Sequence, residues 1–393
     1  MNRPIYLDYA AATPTDNRVI DAMVKCLTQN GTFANPHAKD HVYGWEAAEA
    51  CETARAQVAS LVGCSPLEIT FTSGATESNN LAIMGLAFAL HKQGDKRRHI
   101  ITTKIEHKAV LEACEVLQER GYKVTYLTPH KDGTVDCELL KSALDDDTFL
   151  VSISQANSVL GSVNDIKALA KVTREAGAYF HTDTAQSAGY IETDFDHSDV
   201  SMATLTSEKV CGPKGVGALY IKRSLGLKLT ALIYGGGQEK GLRGGTVPTH
   251  QVVGMGKAFE ILQKEGKSDK ERIESLRNHL LRRLKDIPGI IINGSMTHHV
   301  PGIVSVSFNN VDPRLLLPTL SGIAVSTGSA CASADLKPSY ILKAIGLTDD
   351  QARASLRISF GRFTTLEEID EACDEICLKV PKLMTQYQKE KNL

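Results

Sequence analysis

Between residues 67 and 222 the chain alternates short strand-like runs with helix-like stretches, and this alternation constrains the fold more than any other feature. The runs at 67–72, 99–103, 123–127, 148–153, 178–182, 200–204 and 216–222 read as strands. The stretches at 79–91, 109–120, 137–144 and 165–176 have the apolar spacing of helices. Strands joined through helices run side by side in the same direction, so the pattern predicts an α/β fold with a mostly parallel sheet covered on both faces. Ahead of it come an extended lead-in at 4–14 and helices at 16–30 and 42–62. The alternation ends near residue 225. A glycine-rich loop at 235–245 then leads into a helix at 250–265, and the polar stretch 264–272 reads as the approach to a second unit. That unit is α+β in pattern, with helices at 270–285, 313–320, 337–345 and 366–388 and strands near 289–293 and 302–308. The division expected is a large domain over 15–260 and a small one combining 1–14 with 261–393.

Composition excludes several functions. A net charge of −2 offers no electrostatic footing for direct nucleic-acid binding. No apolar run reaches membrane-spanning length. Nine cysteines, an odd number scattered through a long chain, suit reduced thiols and a cytoplasmic setting. No Cys/His grouping has metal-site spacing, and Cys373 and Cys377 read as packing residues.

The candidate chemistry sits at strand ends. One strand delivers Asp183 and another leads to Lys209. A pyridoxal phosphate site needs such a pair, a lysine to hold the cofactor as a Schiff base and a carboxylate to keep the ring nitrogen protonated. The same charges also suit the rim of any α/β sheet. Ser73-Gly74-Ala75-Thr76-Glu77 turns a strand into a helix, where backbone amides face a bound anion, or where the turn is simply a cap. The glycine runs at 212–217 and 235–241 lack the context of a nucleotide-binding loop. His107 opens a helix after a strand, placed either to stack on a planar ligand and exchange protons or to cap the helix. Cys331 lies in a small, polar stretch suited to a reactive thiol. Arg357 interrupts an apolar run, as a carboxylate clamp or as a structural ion pair.

Taken in order, these residues resemble a known family. Tyr6-Leu7-Asp8-Tyr9-Ala10-Ala11, Thr32-Phe33-Ala34-Asn35-Pro36, Thr72 to Ile83, Glu106-His107-Lys108-Ala109-Val110 and His181-Thr182-Asp183-Thr184-Ala185-Gln186-Ser187 carry the likeness. So do Gly212-Pro213-Lys214-Gly215, Gly235-Gly236-Gly237-Gln238-Glu239, Gly328-Ser329-Ala330-Cys331 and Gly361-Arg362-Phe363-Thr364-Thr365. The chain is similar nearly end to end to cysteine desulfurases of the NifS/IscS type, within the class V aminotransferase group of fold type I pyridoxal phosphate enzymes.

The resemblance implies a homodimer that converts L-cysteine to L-alanine and holds the sulfur as a persulfide on Cys331. Lys209 would carry the cofactor, Asp183 would face the ring nitrogen, Gln186 the phenolic oxygen, and His107 would stack on the ring. Ala75, Thr76, Thr206 and the partner subunit's Thr246 would hold the phosphate. Asn35 and Arg357 would grip the substrate carboxylate. The persulfide would pass to an acceptor protein, such as an iron–sulfur scaffold, a tRNA thiolation protein or a DNA phosphorothioation system. Two cofactor-side positions depart from the family pattern. Glu208 replaces a histidine beside the lysine, and Ser158 replaces an amide. Thr206 stands where serine is common and keeps the hydroxyl. The alternatives are a selenocysteine lyase or aminotransferase on the same fold, and a partner-activated or non-catalytic sulfur-relay subunit.

Overall fold

The computed structural model describes residues 3–327 and 337–391. Among these the strands are β1 (Ile5–Tyr6), β2 (Ile69–Thr72), β3 (His99–Thr103), β4 (Lys123–Leu127), β5 (Thr148–Ser152), β6 (Tyr179–Asp183), β7 (Met202–Thr206), β8 (Gly217–Ile221), β9 (Ile290–Asn293), β10 (Ile303–Phe308), β11 (Ile323–Ala324) and β12 (Ser355–Ser359). β2 to β8 form one seven-stranded sheet in the order β2-β8-β7-β6-β5-β3-β4. β7, β6, β5, β3 and β4 run parallel, and β8 runs against both of its neighbours. Its reversal follows from chain length. Only the ten residues 207–216 join β7 to β8, too few for a helical crossover.

Successive side chains of the central strands enter opposite layers, the reason these strands read as continuous apolar runs. Ile101, Val151 and Ala203 pack with the helices Val42–Leu61 and Ile166–Glu175 on one face. Ile100, Leu150 and Met202 pack with Leu86, Val110 and Leu117 on the other.

The second unit has its own core. β12, β10 and β9 make an antiparallel sheet packed against the helix Leu366–Lys391, where Cys373 is fully buried, as its packing assignment requires. Leu7 joins this core, and β1 pairs with β11.

One expectation fails. The break at 264–272 does not exist, and a single 36-residue helix, Thr249–Leu284, runs through it. Its first half gives Val252, Met255, Phe259 and Leu262 to the large core, and its second half gives Ile273, Leu276, Leu280 and Leu284 to the small one. The polar stretch is the part that spans the gap between the cores, so it lies largely in solvent while keeping helical hydrogen bonds. Gly266 fits there because a Cβ would stand 3.0 Å from the Gly189 carbonyl. No described helix is long and apolar enough to cross a membrane.

Candidate active site

The site forms at the C-terminal ends of β5, β6 and β7, where an open parallel sheet presents its loops to a ligand. Asp183 ends β6 and is 8% exposed. One carboxylate oxygen accepts a hydrogen bond from Asn79 Nδ2 at 2.7 Å, the other from the Ala185 amide at 2.9 Å. Two residues before it, His181 faces the sheet interior between Ser152 and Thr204, and burial pushes its pKa down to about 3. It is a neutral core residue.

Lys209 lies in the turn after β7, with its side chain 15% exposed. Its ammonium donates to the Ala11 carbonyl at 2.6 Å and pairs with Glu208 Oε1 at 3.0 Å. The Glu208 carboxylate therefore faces the lysine. Gln186 Nε2 donates to the Ala10 carbonyl at 3.0 Å, and the Thr13 hydroxyl donates to the Glu208 carbonyl at 2.8 Å. The lead-in at 8–13 thus forms one wall of the site.

The same wall reaches the small unit. Arg357, on β12 and 3% exposed, donates from Nη2 to Asp8 at 2.8 Å and from Nη1 to the Ser158 carbonyl at 3.0 Å. Its Nε is buried without a hydrogen-bond partner. A buried guanidinium donor left without a partner is a group that a carboxylate would satisfy. Ser158 contributes its carbonyl here. Asn157 before it is buried and ties two turns together, donating to Ile105 O and accepting from the amides of Val159 and Leu160.

His107 caps the helix Lys108–Glu119, its Nδ1 accepting from the Ala109 amide at 3.1 Å. In the neutral ring this leaves the proton on Nε2. The adjacent Glu106 is buried. Its carboxylate accepts from the Thr103 hydroxyl at 2.8 Å and from the Ser154 amide. Burial pushes its pKa up to about 7, against those hydrogen bonds and with a further push from Asp183.

The turn at Ser73–Thr76 lies across β8 from Thr206. Thr72 and Thr206 both pair with Gly217, which sets the ends of β2 and β7 on either side of one residue. Gly217 must be glycine, because a Cβ would stand 2.8 Å from Gly74 Cα and 2.7 Å from Leu205 O. Gly74 has φ +150° and offers no capping side chain, so the first-turn amides at Ala75 and Thr76 remain donors for an anion.

Asn35 and Thr246 are exposed, and no hydrogen bond links either to Lys209, Asp183 or Arg357 among the described residues. Asn35 Oδ1 accepts from the His37 amide within its own loop. Cys331 lies outside the described residues. The backbone of Ser326 pairs with Arg357, and Tyr340 donates its hydroxyl to the Glu106 carbonyl at 2.7 Å, so the described chain on both sides of it is tied to the site. Asn79, Glu106 and Asp8 were not singled out by their chemistry in the sequence. All three lie within or beside the family-like runs, which was the available signal. A cleft of about 570 Å³ between the helices Asn17–Lys25, Val42–Leu61 and Thr249–Leu284 contains none of the expected site residues.

Comparison with known proteins places this geometry. The chain belongs to the aminotransferase class-V family, whose model matches residues 5–372. It is 49% identical over 383 residues to the cysteine desulfurase IscS of Pseudomonas entomophila (strain L48), covering 98% of this chain and 94% of that protein. The cysteine desulfurase IscS of Stutzerimonas stutzeri (strain A1501) is 48% identical with the same coverage. Among solved structures, a NifS-like protein superposes with a TM-score of 0.87 at 35% identity, covering 95% of this chain and 99% of that one. SspA in complex with cysteine gives 0.81 at 38% identity, with 92% and 99% covered. The fold is that of fold type I pyridoxal phosphate enzymes, and the family depends on that cofactor. The residues present fit it: an amine, a buried carboxylate on a separate strand end, and uncapped helix amides beside a threonine.

Proposed function

We propose that this chain is a pyridoxal phosphate-dependent cysteine desulfurase that converts L-cysteine to L-alanine and carries the sulfur as a persulfide on Cys331. The observation that supports the reading is the convergence of Lys209, Gln186 and Arg357 on the wall formed by residues 8–13, with the buried Asp183 carboxylate held at the end of β6, in a chain 49% identical to proteins named cysteine desulfurase.

Bound pyridoxal phosphate supplies a protonated ring that accepts the electron pair released at the substrate Cα. Asp183 would hold the proton on the ring nitrogen, and Asn79 holds Asp183 in place. Lys209 would anchor the cofactor, and its amine is the group that would move the Cα proton. Gln186 would bond the ring's phenolic oxygen, and Ser158 stands where the family has an amide on the cofactor side. His107 would stack on the ring, its Nδ1 engaged by the Ala109 amide and its Nε2 left for proton exchange. Ala75, Thr76 and Thr206 would hold the phosphate, joined by Thr246 of the partner subunit. Arg357 and Asn35 bind the substrate carboxylate. The Cys331 thiolate attacks the substrate sulfur. An S–S bond forms as the Cβ–S bond breaks, and the carbon keeps the bond pair and takes a proton to give alanine.

Other features of the reading are a large domain at 15–260, a small one at 1–14 with 261–393, a cytoplasmic homodimer and a protein acceptor. The exposed apolar side chains Phe33, Val42, Tyr43, Trp45 and Tyr234 support self-association. The acceptor classes are those named above: an iron–sulfur scaffold, a tRNA thiolation protein or a DNA phosphorothioation system.

The test is product analysis. With L-cysteine and reductant the protein should form alanine and sulfide in equal amounts. Cys331→Ala should keep the cofactor absorbance and lose the persulfide, and normal sulfide release from it would remove Cys331 from the mechanism. Keto acid in place of alanine would identify an aminotransferase, and selenium release alone a selenocysteine lyase. The Glu208–Lys209 pair favours one further reading, a subunit whose turnover is slow until a partner binds, because the amine starts out engaged. Turnover by the protein alone, unchanged when an acceptor is added, excludes it.

A further inference from the structure

The pair Arg55–Glu239 lies outside the residues given catalytic roles above. It is buried on both sides, at 6% and 8% exposure. The contact is bidentate, Nη1 to Oε2 at 2.8 Å and Nη2 to Oε1 at 2.9 Å. The pair grips the outer edge of β2, the end strand of the large sheet. Arg55 Nη1 donates to the Ile69 carbonyl at 2.9 Å, and the Phe71 amide donates to Glu239 Oε2 at 2.8 Å. One residue of a further strand would make the same two bonds. The guanidinium also lies 4.6 Å from the Phe71 ring centroid.

The edge held in this way leads into the anion cradle, since Phe71 is three residues ahead of Gly74. The loop that supplies Glu239 also reaches the far side of that turn. Arg243 pairs with Glu77 at 3.3 Å, and Glu77 in turn accepts from the Ser73 amide at 2.8 Å. This loop is held in an unfavourable shape, with Glu239 at φ +46° and Lys240 at φ +58°, a backbone region that non-glycine residues adopt only under constraint.

We propose that Arg55 and Glu239 are a positioning pair for the anion cradle at Gly74–Thr76, fixing the strand that enters it while Arg243 fixes the turn that leaves it. The proposal rests on the reading that this cradle takes the cofactor phosphate. Its consequence is selective. Disturbing the pair weakens the grip on phosphate and spares the ring and the Lys209 chemistry.

The experiment compares two ligands on the full-length protein freed of cofactor, pyridoxal phosphate and pyridoxal, each followed by the absorbance of its lysine adduct. Glu239→Gln should weaken pyridoxal phosphate about tenfold and change pyridoxal by less than twofold. Arg55→Lys keeps the charge but not the fork, and should act in the same direction. The double variant Arg55→Met with Glu239→Met removes both charges, so that neither is left buried alone, and serves if a single variant does not fold. It should show the same phosphate-selective loss. Equal weakening of both ligands, or no weakening of pyridoxal phosphate, overturns the proposal. If the unaltered protein binds pyridoxal as tightly as pyridoxal phosphate, the cradle reading itself fails.

Discussion

The Glu208 carboxylate and the Lys209 ammonium, neighbours in sequence, stand 3.0 Å apart with their side chains 32% and 15% exposed. A carboxylate beside a bound phosphate would be repulsive, and this orientation gives it a cation instead. The amine must leave that partner before it can act as a nucleophile. A partly exposed pair of this kind contributes at most about 1 kcal/mol. Glu208→Gln should therefore raise the rate of reductive methylation of Lys209 in cofactor-free protein two- to threefold or so, read by mass spectrometry of the Lys209 peptide. An unchanged rate would mean that the pair does not restrain the amine.

Arg357 offers a second test. Its two outer nitrogens already bond Asp8 and Ser158, and a lysine cannot reproduce that fork. Arg357→Lys should raise KM for L-cysteine about tenfold with kcat changed much less, as expected when ground-state and transition-state binding are lost together. A fall in kcat with KM intact would place the arginine outside substrate binding.

Asn79 is a buried donor to a buried carboxylate. Replacing it with alanine removes a charge-assisted hydrogen bond worth about 1.5–3 kcal/mol. Asn79→Ala should lower the thermal midpoint and release the cofactor faster on dialysis, both measurable by the visible absorbance. Retention like that of the unaltered protein would show that Asp183 needs no such support.

Glu106 predicts a pH effect of definite sign. Its folded pKa of about 7 lies above the ordinary 4.5, chiefly because of burial. Between those values the folded protein binds a proton that the unfolded chain has released, so this group's contribution to stability falls as pH rises from about 4.5 to about 7. The loss is up to about 3 kcal/mol at 1.36 kcal/mol per pKa unit. Glu106→Gln should flatten the stability profile across that window, measured by urea unfolding at pH 5 and pH 7. Parallel profiles for the two proteins would show that Glu106 does not titrate there.

Much of this was legible in the chain. Strand and helix positions in the large unit follow from apolar periodicity, and Asp183 and Lys209 stand out because they end or follow apolar strands. Other parts were hidden for physical reasons. The stretch 264–272 looks like a linker because it is polar, yet polarity marks only its exposure between two cores, and helix continuity was set by what packs before and after it. Asn79 and Glu106 lie at or beside strand-to-helix turns, where polar residues ordinarily cap. Their burial against Asp183 and Ser154 depends on strand order. The Asp8–Arg357 contact joins positions 349 apart, beyond the reach of any local pattern.

The lead-in wall also sets an order of assembly. Residues 5–13 are made well before the segments they dock on: β1 needs β11, Asp8 needs Arg357 and the Ala10 amide needs Ser359. The Ala11 carbonyl that receives Lys209 is held in the same segment. Until residues 323–359 have been made, residues 5–10 have nowhere to dock and the lysine pocket lacks a side. The segment 5–13 closes the site only once its distant partners exist, so a chain cut short before residue 323 would leave the lysine pocket unfinished.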